Sequence, residues 1–164
     1  MSDAYSSSLE IRLSDGPGAP PGPEVLTGPL EPDEQPRLWA ALALVNADLA
    51  ATRPDRAPLE LRRYDWSDGG RQIKVATADG ESYGPAVWQR GWSGDAAELL
   101  ADPLELLALV ADAAQQTVLE SGRQVWPLCP AHALGLHASG VAGSWHCSAG
   151  GGHVVAPVGG PARG

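Results

Sequence analysis

Leu59-Glu-Leu-Arg-Arg-Tyr-Asp-Trp66 and Arg71-Gln-Ile-Lys-Val-Ala-Thr77, joined by Ser67-Asp-Gly-Gly70, decide the fold. Both runs are rich in β-branched and aromatic residues, and both change polarity with period two, the pattern of a half-buried strand. The Gly pair between them accepts the positive φ that a tight hairpin turn demands. Leu59, Leu61, Ile73 and Val75 then fall on one face, which needs a cover. Asp79-Gly80 turns the chain again, predicting a third strand over about residues 81–88. Pro85 confines that strand to an edge or splits it at a bulge.

Two helices can supply the cover. Over residues 37–52, Leu38, Leu42, Val45 and Leu49 follow the i, i+4, i+7, i+11 spacing of one apolar face. Asp33 is the expected N-cap, Pro36 suits the first turn and Pro54 stops the helix. Residues 103–121 carry the stronger pattern, with Leu106, Leu107, Val110, Ala114 and Val118 as its buried stripe. Asp102 caps it, Pro103 opens it, Glu105 completes an Asp-x-x-Glu capping box and Ser121-Gly122 ends it. Gln115 and Gln116 read as solvent-facing. The expected fold is therefore α+β, a three- to four-stranded antiparallel meander packed on two helices.

Upstream, Leu9, Ile11 and Leu13 alternate with Glu10 and Arg12, predicting a short strand over residues 6–13. Residues 16–36 hold seven prolines and no helical period, which predicts an extended spacer. Residues 1–36 thus read as a short strand with a Pro-rich flexible segment, residues 37–123 as the α+β core. Residues 124–158 read as a Cys/His β-hairpin module, and residues 159–164 as a frayed tail. Within that module, short strands are expected at Val125-Trp126, Leu134–Ala138, Ser144–Cys147 and His153–Ala156, with Gly140 and Gly143 closing a hairpin.

The chemistry lies in that module. Both cysteines and all four histidines fall between Cys129 and His153, and no acidic residue follows Glu120. The spacing is Cys129-x2-His132, fourteen residues, then Cys147-x5-His153. Zinc takes four soft or borderline donors in a tetrahedron, and a Cys-x2-His turn can present two of them at once. The expected ligands are Cys129, His132, Cys147 and His153, with His137 as an alternative. His146 adjoins Cys147, so on a strand it points to the opposite face. The module reads as zinc-ribbon-like, with zinc in a structural role.

Composition narrows the function classes. The chain has 164 residues and a net charge of −9; all twenty acids and nine of the eleven bases lie in residues 1–120. Such an acidic body repels phosphate backbones, so nucleic acid is not an expected partner. The N-terminus lacks a basic and apolar leader, and no apolar run approaches the roughly 20 residues that span a bilayer. A cytoplasmic location with reduced thiols is the expectation, without a membrane partner. Walker, GxGxxG, GxSxG, His-Glu-x-x-His and His-x-Glu motifs are absent. The leading expectation is a non-enzymatic interaction or accessory module, docking a protein through its acidic face or the Trp88/Trp92 loop. A metal-dependent hydrolase with an open Cys/His site and a nucleic-acid-binding zinc ribbon are the alternatives.

Asp102–Glu120, Trp126-Pro-Leu-Cys-Pro-Ala-His132 and Trp145-His-Cys147 together resemble small, acidic, uncharacterised proteins of actinobacteria. These join a Leu-rich helix to a Trp-Pro-x-Cys-Pro-x-His turn and a Trp-x-Cys strand. The resemblance covers about residues 100–158 and implies no activity.

Overall fold

The computed structural model describes residues 25–92, 100–140 and 143–160. The strand expected at residues 6–13 lies outside them. Four strands form one antiparallel sheet in the order β1 (Val25–Pro29), β2 (Glu60–Trp66), β3 (Arg71–Ala76), β4 (Ala86–Gln89). Two helices, α1 (Pro36–Thr52) and α2 (Pro103–Gly122), pack on each other, and α2 packs on β3 and β4 of this sheet. A second antiparallel sheet follows, β5 (His137–Ser139), β6 (Ser144–Cys147) and β7 (His153–Pro157). The class is α+β, and no helix among the described residues is long and apolar enough to cross a membrane.

The β2–β3 hairpin has the register that its alternation implies. Leu61 pairs with Val75 and Arg63 with Ile73, while Leu59, Leu61, Ile73 and Val75 are all buried. β1 corrects the reading of residues 16–36 as spacer throughout. Val25–Pro29 pairs with the last five residues of β2, from Val25↔Trp66 to Pro29↔Arg62. Pro29 is tolerated because this is an edge strand, where a missing N–H breaks no central ladder. β4 starts later than the expected 81–88. The chain before it crosses α2 so closely that a Cβ on Gly84 would lie 2.6 Å from the Ala113 carbonyl oxygen. Pro85 then offers no donor, and pairing begins at Ala86.

Both helices bury their expected stripes, but their ends differ in detail. Gln35, not Asp33, is the N-cap of α1 and makes no side-chain cap. Residues 31–34 form their own turn, closed by Glu34 N–H to the Glu31 carbonyl (3.1 Å), and this leaves Asp33 outside capping position. The Trp39 indole donates to the same carbonyl at 3.2 Å. Asp102 does cap α2, accepting from Leu104 and Glu105 N–H. Glu105 does not return the bond; its carboxylate lies against Gly140 of the β5–β6 turn. Arg123 in the left-handed region (φ 50°), rather than Gly122, ends this helix.

α2 is the shared wall of the molecule, touching α1, β3, β4 and β5. Residues 124–158 therefore do not stand apart, since Trp126, Cys129, Leu136, Trp145, Cys147 and Val158 belong to the same buried cluster as Leu42, Val45 and Val110. Trp126 and Trp145 meet edge to face, with centroids 5.7 Å apart. Each indole N–H reaches α1: Trp126 donates to Thr52 Oγ1 (2.8 Å) and Trp145 to Asp48 Oδ2 (2.7 Å). Asp48 Oδ2 also accepts the Gly159 N–H at 2.8 Å, so the chain is anchored at Gly159 where a frayed tail was expected. Trp88 lies within β4 and packs on the core, and Trp92 is half-buried in the turn beyond it.

Candidate metal centre

The first ligand pair sits on a tight loop. Leu128 and Gly135 form an isolated antiparallel bridge. Within it, Cys129 N–H donates to the Leu134 carbonyl (2.8 Å), and the Cys129 carbonyl accepts from His132 (3.3 Å) and Ala133 (2.8 Å). The reversal requires a positive φ at Ala133 (53°). Of the expected Leu134–Ala138 strand, Gly135 forms this bridge, closed by the Leu134 carbonyl and by the Leu136 N–H donating to the Pro127 carbonyl (2.9 Å), and β5 proper begins at His137. Val125-Trp126, also read as a strand, belongs to none.

The second pair sits on a hairpin. Cys147 ends β6, His153 begins β7, and the register sets them directly opposite. The five residues between them fold through a 3-10 turn at Ala149–Gly151, with positive φ at Gly150, Gly151 and Gly152. This explains the wide x5 spacing, because side chains opposite one another on paired strands lie about 5 Å apart at Cβ whatever the loop between them.

One donor atom from each of Cys129, His132, Cys147 and His153 lies within 4.8 Å of every other. Cys129 Sγ is 3.5 Å from His132 Nδ1 and 3.7 Å from His153 Nε2, and Cys147 Sγ is 3.5 Å from His132 Nδ1. The two imidazoles meet at 61° with centroids 5.2 Å apart. Both thiols are free and buried, whereas His132 is exposed and His153 half-buried. Burial pushes the Cys129 thiol up, but the Ala131 and His132 N–H groups and the Cys147 thiol outweigh it and hold Cys129 below the usual thiol range. A Cys/His group of this kind is within metal-binding distance and fits a zinc module. It contains no carboxylate.

The remaining histidines lie outside the group. His137 pairs across the ladder with His146, and its place in the group of converging donors is taken by His153. His146 points away from Cys147, its Nε2 3.2 Å from Ser144 Oγ.

Two polar residues that brace this region escaped the sequence reading. Gln115 is not solvent-facing: its amide N–H₂ donates to the carbonyls of Trp126 (3.1 Å) and Leu136 (2.6 Å), which flank the metal loop. Its position four residues after buried Ala111 was the available signal. Gln115→Leu leaves both carbonyls without this donor and is expected to cost about 1–3 kcal/mol in urea unfolding, with the four donors intact. Asp48 is the other, three residues after Val45 on the apolar face of α1.

Comparison with known proteins adds no relative, since no family model, curated protein or solved structure matches this chain.

Proposed function

We propose that Cys129, His132, Cys147 and His153 bind one structural zinc ion, and that the protein is a non-enzymatic interaction or accessory module whose C-terminal sheet this ion fixes. The carrying observation is the set of three sulfur–nitrogen separations, 3.5, 3.5 and 3.7 Å. Tetrahedral zinc with bonds of about 2.3 Å to sulfur and 2.05 Å to nitrogen requires sulfur–nitrogen edges of about 3.6 Å. The donor set supports zinc over magnesium or calcium, which take oxygen. Four protein donors complete the tetrahedron and leave no position for a reactive water. No carboxylate joins the group to act as general base. These features favour a structural over a hydrolytic role.

The expected result of elemental mass spectrometry on untagged protein, purified without chelator, is about one zinc per chain. Protein with no metal, or with iron in place of zinc, would overturn the assignment. The interaction reading is tested separately, by crosslinking and capture from native extract. It predicts a partner that recurs across replicates and competes with unlabelled protein; no recurring partner would overturn it.

A further inference from the structure

The face of the first sheet that meets α2 carries Leu61, Ile73 and Val75, all of them buried. Strand alternation puts Arg62, Tyr64, Trp66, Gln72, Lys74 and Gln89 on the other face, where each is half-buried. A cleft of about 280 Å³ opens there, with Trp66, Gly70, Gln72 and Gln89 in its wall. Small-molecule sites begin at roughly 300 Å³, so this one is sized for a single small molecule. Of the charged residues that also line it, Asp68 accepts the Gly70 N–H at 2.9 Å, Arg71 donates to Asp65, and Arg90 is exposed.

Ring, edge and charge on this face together describe a ligand. Trp66 offers an aromatic wall, with the Tyr64 ring centroid 6.5 Å from its own. Gln72 Nε2 donates to Gln89 Oε1 at 2.8 Å, and among the described residues Gln72 Oε1 and Gln89 Nε2 have no partner. An acceptor and a donor thus stand side by side, the pattern that pairs with the edge of a nucleobase. Lys74, the only lysine of the chain, holds Nζ 5.8 Å from the Tyr64 centroid, one row from Trp66. Register sets it directly opposite Arg62, a repulsive pairing. Arg62 turns onto Gly80. Among the described residues neither cation forms a salt bridge, whereas Arg53, Arg63 and Arg71 all do. Glu60 is the acid that alternation adds to this face, on the side of Arg62 away from Trp66. We propose that the cleft binds a nucleoside monophosphate, with its base against Trp66, the base edge on Gln72 and Gln89, and its phosphate on Lys74. Two residues of a strand cover about 6.6 Å, which leaves room for the sugar between the Trp66 and Tyr64 rows. A net charge of −9 repels a polyanion, so the occupant is one nucleotide and not a strand. Nothing in this site depends on the metal centre or on the interaction reading above.

The test titrates the isotope-labelled full chain, followed by NMR, with the ribonucleoside monophosphates, their nucleosides, ribose phosphate and a single-stranded RNA decamer. At least one monophosphate is expected to bind ~10-fold or more tightly than its nucleoside and than ribose phosphate, the gain from one charge-assisted hydrogen bond. Shifts are expected to concentrate on the side-chain amides of Gln72 and Gln89 and the indole N–H of Trp66. Lys74→Ala is expected to weaken the monophosphate by ~10-fold or more and to leave the nucleoside unchanged, a split that a merely structural role does not produce. Gln72→Leu is expected to weaken both. Circular dichroism of each variant is expected to match the unsubstituted protein, and Lys74→Ala carries the test should Gln72→Leu fail to fold. No shift at millimolar monophosphate, or shifts away from this face, overturns the proposal. So does ribose phosphate binding as tightly as the monophosphate, or an equal loss of nucleoside and monophosphate in Lys74→Ala. An RNA decamer that binds more tightly than every monophosphate assigns the face to a strand and also overturns it.

Discussion

Cys129→Ser is expected to lower zinc affinity by more than about 100-fold and to abolish hydrogen-exchange protection across residues 125–158. A serine hydroxyl is not ionised at neutral pH and cannot replace a thiolate donor, so the substitution goes beyond the ~10–100-fold typical of losing a supporting group around a metal. Ligation energy is folding energy wherever the site does not exist in the unfolded chain. The second sheet is expected to depend on it more than the first, because its strands are only three to five residues long and its turns are rich in glycine. The helices and the β2–β3 hairpin bury Leu42, Val45, Leu61, Val75 and Val110 among themselves. Their amides are expected to keep most of their protection. Chelation of the unsubstituted protein should reproduce the same pattern. Unchanged protection over residues 125–158 in the serine variant would count against a structural metal.

Asp48→Ala is expected to destabilise the fold by about 2–4 kcal/mol, the cost of leaving one buried and one part-buried donor unpaired. Those donors are the Trp145 indole N–H and the Gly159 backbone N–H, which both bond Asp48 Oδ2. Asp48→Asn keeps an oxygen in place and should cost less than about 1 kcal/mol. The pH dependence separates charge from hydrogen bonding. Burial raises the Asp48 pKa above its ordinary value, against the two N–H bonds that lower it. The folded state therefore holds this proton more tightly than the unfolded state. The stabilisation it represents is complete below the unfolded carboxylate pKa and is lost as pH rises through the elevated folded value. Asparagine does not titrate, so its stability relative to aspartate should improve from about pH 4 to neutrality. Urea midpoints of both proteins across that range measure this directly. A relative stability that falls with rising pH would contradict the account.

The legible parts of this protein are local. Period two in residues 59–77 and the apolar stripes of the two helices depend only on neighbours within a few turns or one hairpin, so sequence spacing carries them. The same holds for Asp102 as a cap and for the Cys129-x2-His132 turn, whose parts lie within three residues of one another. Alternation could not reveal β1, because Val25–Pro29 ends in proline within a segment of seven prolines, and only β2 makes it a strand. Asp48 and Gln115 looked like ordinary polar residues on helices. Their partners are 97 and 111 residues away for Asp48, and 11 and 21 for Gln115.

By itself, then, the sequence determined the α+β class, the two helices, the central hairpin and a tail in which metal-ligating residues concentrate. Spacing already named Cys129, His132, Cys147 and His153 with His137 as an alternative, and tertiary structure decided between the two histidines, because the β6–β7 register places His153 opposite Cys147 while β5 pairs His137 with His146. It also decided that the second sheet shares the core of the first, through Trp126 and Trp145 against α1. Periodicity records which face of an element is apolar. It does not record what that face meets, and long-range pairing sets both the donor geometry and the socket that Asp48 makes for Trp145.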